Sequence, residues 1–543
     1  MNKFLYGFIF IICLPLMLWQ WASHAQISLA LAIPKNMALI AGLLGAFLCS
    51  WSMLALKLVG EGLPMNAFPP PKFVHNGPYF FFAHPIYVGF CIIAYAISAY
   101  CGSSAGFYLV SPLLSCGAAA LAMGYENFDM KKRFKTLRYE PWIGLLEQEI
   151  KRPDLKSKVR FILSMYLFAL FFFMASISLN EGILIKSAQM ALLFYIILVP
   201  MSLSFISSFE GMRALGLAWV LIACALAINS QIYVFLSASL AAFITISLLK
   251  PARDFFGLMA NSWTAWNLGP VRIINHGFYA GFAALMGFLV WDILLMGKST
   301  KIIFFISILG LVISALWGQI LEGSGRLKRP FGYFGALLGG ALAFVILSLM
   351  DVSNKWEIGA ALGVAFCLAQ ALGRLRCLVN GCCHGSQAPE WIGVRVFNPQ
   401  TRASKISGLN NEPIYLSQIY SAIFLFLSSA FLFVLWQRET SFALIIGLYL
   451  ILAGVGRFLE EATRGEAQTK IFSGLRVYQW LAIILIALGI LFTCSKSPSS
   501  VAVSVGDLFL ASRHSLIYIF IGLLFTCAFG VDFPGSRRRF SEL

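Results

Sequence analysis

Between Gly373 and Gly385 the chain reads GRLRCLVNGCCHG, which sets Arg374, Arg376, Cys377, Asn380, Cys382, Cys383 and His384 at the end of an apolar run. Ionisable groups at membrane depth are costly and mark places where something is bound or reacts. Further along, LIIGLYLILAGVGRFLEEATRGE carries Arg457, Glu461 and Arg464 at spacings of four and three, which place them on one helical face. A guanidinium is a planar, permanently charged fork that binds phosphate oxygens in pairs. Two arginine-bearing segments that converge would therefore form a pocket for a phosphate, with Glu461 orienting Arg457 from the next turn. For a single arginine the competing reading is a side chain that snorkels from a helix end to the headgroups.

The elements that must position these groups are membrane helices. The 543 residues are 59% hydrophobic and 12% charged, about half the charge of an average soluble protein. Counting apolar stretches long enough to cross a bilayer gives sixteen, near 4–21, 38–58, 85–101, 104–124, 160–179, 188–206, 213–228, 231–249, 277–296, 301–320, 333–350, 358–376, 416–436, 442–459, 477–493 and 515–532. The fold class is all-α, a polytopic integral membrane protein. The net charge of +17 lies in short loops beside helix ends, where cytoplasmic retention and anionic headgroups account for it better than nucleic acid does. The start MNKFLYGFIFIICLPLMLWQWASHAQ imitates a cleavable signal peptide. Its apolar run is long for one and favours an uncleaved first helix.

Three blocks and a tail follow. Residues 1–155 close with a polar stretch, Asp129 to Arg160, holding ten Lys/Arg against five Asp/Glu, which reads as cytoplasmic. Residues 156–254 form a helical scaffold block; 255–495 hold both arginine segments; 496–543 add a further helix and a basic tail. In the middle block ISSFEGMRALGLAWVLIACALAINSQIYVFLSASLAAF faintly resembles the end of a phosphatidic acid phosphatase domain. That chemistry needs histidines, and residues 160–250 contain none.

In the first block, GEGLPMNAFPPPKFVHNGPYFFFAHPIYVGF holds Pro69 to Pro71, which cannot continue a helix, and places His84 just before Pro85 at a helix start. With Gly77-Pro78-Tyr79, His84-Pro85, Tyr87, Gly89 and Glu126, this block resembles membrane methyltransferases of the isoprenylcysteine carboxyl methyltransferase and phospholipid methyltransferase type. The resemblance implies an S-adenosylmethionine site without a Rossmann glycine loop, at His84, Pro85, Tyr87 and Glu126. The arginine usual before the His-Pro is Ala83 here, and the usual acidic pair is Tyr125-Glu126. The alternative is a degenerate domain in which His84 is only a polar residue at a helix cap.

The third block, over about 257–495, carries LGPVRIINHGFYAGFAALMGFL, FGYFGALLGGALA, GRLRCLVNGCCHG, PIYLSQIYSA and GVGRFLEEATRGEAQTKIFSGLRVYQWLAIILIALGI. In order and spacing these resemble prolipoprotein diacylglyceryl transferase, a seven-helix family that moves the diacylglyceryl group of phosphatidylglycerol to a lipoprotein cysteine thiol and releases glycerol phosphate. The resemblance implies a multi-pass protein of the bacterial plasma (inner) membrane, with phosphatidylglycerol and a prolipoprotein cysteine as partners and no cofactor for this block. Carried over by position, it implies Arg374 and Arg457 as catalytic arginines. Asn380, Gly385, Gln418, Tyr420, Glu461 and Arg464 would bind substrate. Where the family has a histidine before its glycine pair this chain has Phe334, the common tyrosine after the first loop is His276, and the signature's usual asparagine and acid are Cys377 and Cys382. His276 and His384 are the bases that could replace the histidine, and the alternative these departures leave open is a divergent lipid-modifying enzyme with another acceptor.

Most of the twelve cysteines sit singly in apolar spans as small hydrophobes. Cys377, Cys382, Cys383 and His384 are zinc-ligand types, yet two adjacent ligands and no CxxC pair suit one tetrahedral site poorly, and no metal is expected. A disulfide among these cysteines requires an oxidising compartment. Sixteen crossings starting inside put GCCHG in the cytoplasm, whereas the family resemblance puts it outside, the side favoured here. A transporter or lipid flippase is the alternative class, although no paired broken helices stand out. A non-catalytic scaffold of two decayed enzyme domains is a third.

Overall fold

The computed structural model describes residues 8–25, 33–62, 70–134, 250–298, 300–320, 332–388, 393–465, 474–503 and 514–533, with 27, 31, 390 and 471–472. The four spans expected at 160–249, the Pro69 position and the basic tail lie outside the described residues. Among those described, seven helices are long and apolar enough to cross a membrane, and five shorter apolar helices accompany them. These lie at the other twelve expected ranges. The chain is a mostly helical, polytopic membrane protein that divides into two units, 1–250 and 251–543.

In the first unit Lys35–Leu58 packs along Pro85–Tyr100. Small residues allow the approach: Cys49 donates from Sγ to the Ile86 carbonyl at 3.4 Å, and Gly45 and Gly89 lie where a Cβ would clash. The opposite face shows Leu39, Leu43 and Phe47, each more than half exposed, as a lipid-facing stripe requires. Pro78 and Pro85 each occupy the first turn of a helix, where the missing N–H costs nothing.

The second unit opens with the helix Lys250–Ala260, which presents Phe255 and Leu258 outward. Then come His276–Leu294, Thr300–Ile320, Tyr333–Leu349, Lys355–Asn380, Ser417–Gln437, Phe442–Thr463 and Val477–Thr493. The additional helix expected after 495, Ser515–Gly530, packs on His276–Leu294. It is tied there by Arg272, whose Nε donates to Asp532 at 2.7 Å, and by His514 Nδ1 at 2.9 Å from Asp292. Lys355–Asn380 packs against His276–Leu294 and Ser417–Gln437, and Phe442–Thr463 against Val477–Thr493.

Phe442–Thr463 is the most enclosed span, with 78% of its apolar window buried, against 22% for Lys301–Gln319. The helix bearing Arg457 is thus an interior element, and its polar groups must find partners within the protein. Among the described residues, strands form only short antiparallel ladders of two to four residues, Ala265–Leu268 with Val271–Ile274 and Val531–Asp532 among them.

Candidate functional site

The Lys355–Asn380 helix stops at Gly381, whose φ of +71° is the left-handed C-cap conformation that glycine adopts without strain. The chain turns there into CCHG and is stitched across the end of the Arg457 helix. Ser386 donates its N–H to the Thr463 carbonyl at 3.1 Å, Gly465 donates to the His384 carbonyl at 3.0 Å, and Gly385 pairs with Arg464 in a β-bridge. A Cβ on Gly385 would lie 2.7 Å from the Tyr415 carbonyl oxygen, so the loop can seat here only as glycine. The two arginine segments therefore converge.

Glu460 is the hub of the convergence. Its carboxylate accepts from Arg374 Nη2, from Arg457 Nη1 at 3.0 Å, from Arg464 Nη2 at 2.7 Å and from the Ser421 hydroxyl at 3.2 Å. Glu461, fully buried, lies 3.0 Å from Arg457 Nη2 and 3.5 Å from Arg476 Nη1. Four guanidiniums share two carboxylates, leaving two positive charges in excess inside an apolar bundle. Arg457 is also walled by aromatic faces, its guanidinium carbon 4.9 Å from the Tyr478 ring centre, 5.8 Å from Tyr333 and 5.9 Å from Phe334.

The other expected residues divide. Asn380 is buried with its Oδ1 unmet, and Gln418 donates from Nε2 to the Cys382 carbonyl at 2.9 Å while its Oε1 is unmet. Tyr420, two residues on, lies about 200° around the same helix and is half-buried. Ser421 takes the Gln418 face instead. Arg376 likewise turns away from the cluster and lies over the Phe529 ring at 4.8 Å. His276 is fully buried with no hydrogen-bond partner on either ring nitrogen, and Arg376 is near enough to act on it. His384 is also buried, with Nδ1 2.8 Å from the Gly385 carbonyl and Nε2 2.8 Å from Ser407 Oγ. A carbonyl only accepts, so Nδ1 carries the proton and Nε2 accepts from the serine when the ring is neutral.

Glu460, Ser421 and Arg476 were missed in the sequence. Glu460 carried a signal, since it stands three residues from Arg457 and four from Arg464. Cys377, Cys382 and Cys383, read as poorly spaced, have their Sγ atoms all within 4.8 Å of one another. Hydrogen bonds from Cys377 and Cys382, and then the Arg464 and Arg374 charges, hold the Cys383 thiol well below its ordinary range against the effect of burial.

In the first unit His84 caps nothing with its side chain. Its Nδ1 lies 2.9 Å from Glu126, which also accepts from the Tyr87 hydroxyl, and the His84 and Tyr87 rings stack at 5.8 Å. The structure thus joins three of the four residues singled out there, with Pro85 opening the helix that carries Tyr87.

Glu460 and Glu461 of this interior helix draw Arg374 and Arg476 from other elements to Arg457 and Arg464, an arrangement of four guanidiniums and two carboxylates at membrane depth that is suited to an anion. Residues 263–495 match the family described as prolipoprotein diacylglyceryl transferase. A phosphatidylglycerol–prolipoprotein diacylglyceryl transferase of Clostridium tetani is 30% identical over 234 residues, 39% of this chain and 90% of that protein. One of Symbiobacterium thermophilum is 34% identical over 173 residues, 32% of this chain and 60% of that protein. A third, transferase 2 of Clostridium perfringens, is 29% identical over 179 residues, 32% and 67% of the two chains. The chain belongs to the prolipoprotein diacylglyceryl transferase family, and it is a transferase.

Proposed function

We propose that residues 255–495 move the diacylglyceryl group of phosphatidylglycerol onto the thiol of a lipoprotein cysteine in a bacterial plasma (inner) membrane, the whole chain crossing sixteen times. The observation that carries this is the excess of two positive charges among Arg374, Arg457, Arg464 and Arg476. The acceptor's thiolate sulfur attacks the glyceryl methylene next to the phosphate oxygen. That C–O bond breaks with its electrons on the phosphate, and glycerol phosphate leaves with one more negative charge than the diester had. Guanidiniums already fixed by Glu460 and Glu461 stabilise that charge without rearranging. Asn380, Gly385 and Gln418 shape the loop beside it, with Tyr420 on the flank.

The thiol proton needs an acceptor. Glu460 and Glu461 are committed to arginines. His384 Nε2 already accepts from Ser407, while His276 has both nitrogens unengaged; these two imidazoles are the proposed bases. The test is ³¹P NMR of full-length protein in phosphatidylglycerol vesicles with a lipobox peptide. Growth of a glycerol phosphate signal together with a peptide thioether supports transfer. Lipid movement between leaflets with the diester intact would instead establish the transporter reading.

For the first unit we propose an S-adenosylmethionine site at His84, Pro85, Tyr87 and Glu126. A carboxylate next to a tyrosine ring is a donor set suited to a sulfonium cation. When bound, the cofactor would supply a methyl group. Glu126 would face its positive charge, and Tyr87 and His84 would hold Glu126 in place.

A further inference from the structure

We propose that Cys377, Cys382 and Cys383 bind one zinc ion through three thiolates, with the fourth position taken by the acceptor thiol; this rests on the transferase reading given above. Three sulfurs within 4.8 Å of one another need close by only about 1 Å to reach the spacing of a tetrahedral site with Zn–S bonds near 2.3 Å. Adjacent residues in extended backbone point to opposite sides, and here they do not. Cys383 has φ +58°, a left-handed conformation that a non-glycine residue adopts at a cost, and it brings the Cys383 sulfur round to those of Cys382 and Cys377.

The turn is held from behind. Ser417 Oγ donates to the Cys383 carbonyl at 2.7 Å and Gln418 Nε2 to the Cys382 carbonyl at 2.9 Å, the kind of outer support that orients metal ligands. None of the described cysteines is joined in a disulfide. Charge fits as well. A zinc trithiolate carries one net negative charge, and Arg374 and Arg464 act directly on Cys383. Before the acceptor enters, that charge and the single charge of a phosphodiester together offset the two-charge excess of the arginine cluster.

Three protein ligands and an open fourth position are the signature of a zinc that works on a substrate. A thiol entering that position is made more acidic by the ion, gives its proton to one of the imidazoles proposed above as bases, and stays bound as thiolate. Its sulfur lone pair then forms the C–S bond as the glyceryl C–O bond breaks. The neutral thioether product is a poor zinc ligand and leaves, and the ion is not oxidised or reduced. The ion would hold the acceptor sulfur as the nucleophile, while both carboxylates stay with their arginines and an imidazole takes the proton.

The test uses full-length protein purified under reducing conditions in phosphatidylglycerol nanodiscs. Elemental analysis is expected to give one zinc per chain, and Co²⁺ exchanged into the site should show tetrahedral d–d absorption with sulfur-to-cobalt charge transfer. That charge transfer should grow by about one third when a lipobox peptide adds a fourth thiolate to three. Cys382→Ser and Cys377→Ser should each lower zinc affinity at least tenfold, whereas Cys494→Ser, at a helix end with no part in the cluster, should not. No cobalt–thiolate band in the folded wild type, or a loss of two titratable thiols to a disulfide in its place, would overturn the proposal. Cobalt bound with no response to the peptide overturns the acceptor role. Full peptide lipidation by metal-free protein overturns that role while leaving the transferase standing. A zinc-loaded, peptide-responsive site with no lipidation supports the metal site and contradicts the transferase.

Discussion

Arg374 and Glu460 lie 86 residues apart in sequence and form an ion pair between two membrane-spanning helices. The pair is what turns two separately costly charges into one site. Glu460 also holds Arg457 and Arg464, so its removal leaves three guanidiniums without their shared partner. Glu460→Ala is expected to destabilise the unit by about 3–5 kcal/mol, read as a lowered unfolding temperature in detergent. Exposed Glu390, which pairs with Arg395, should give no measurable change on the same substitution.

Arginine geometry matters beyond charge. Arg457→Lys keeps the charge but cannot reach Glu460, Glu461 and a phosphate at once, and a point charge replaces a planar fork. Its turnover is expected to fall about 10²–10³-fold, the effect of losing one preorganised donor to developing charge. Single-turnover lipidation of a labelled peptide measures it, and a loss under fivefold would place Arg457 outside the reacting charge.

Tyr478 provides the nearest aromatic face to Arg457, at 4.9 Å. Tyr478→Leu keeps an apolar side chain but removes the ring and the hydroxyl that accepts from Trp317 Nε1 at 3.4 Å. The expected cost is about 0.5–2 kcal/mol, a drop in turnover of about two- to thirtyfold, with the fold intact by circular dichroism.

Gly385 leaves no room for a methyl group against Tyr415. Gly385→Ala should push the CCHG loop away from the end of the Arg457 helix at a cost of about 1–3 kcal/mol. Hydrogen exchange should then rise at the Gly385 and Gly465 amides, which donate to Tyr415 and His384. Unchanged protection at both would contradict the stitching described here.

In the first unit Glu126→Gln removes the charge that His84 and Tyr87 address. S-adenosylmethionine binding by calorimetry is expected to weaken at least tenfold while peptide lipidation stays at the wild-type rate. Equal binding by wild type and variant would remove Glu126 from the cofactor site.

What the sequence made legible follows from what is periodic. Arg457, Glu461 and Arg464 share a face because the helix repeat dictates it, and the Arg457–Glu461 pair was visible from spacing alone. Apolar run length located the twelve ranges at which described helices lie, the other four falling outside the described residues. The spacing of Glu460 to Arg457 and Arg464 was legible, but its pairing with Arg374 was not, because pairing across helices leaves no periodic trace. The cysteine triangle was hidden because it depends on left-handed backbone at Gly381 and Cys383, which glycine announces and cysteine does not. Tyr420 shows the converse: a motif neighbour in sequence that the helix repeat turns away from Gln418.

On the proposed function one arginine cluster, assembled from three helices and their caps, holds the phosphate of a lipid whose diacylglyceryl group goes to a thiol. The most direct measurement is purified protein with radiolabelled phosphatidylglycerol and a lipobox peptide, comparing wild type with Arg374→Ala and Arg457→Ala. Label on the peptide cysteine that disappears in both folded variants is the expected result. Label that persists in either variant, or intact lipid beside folded wild type, would contradict it.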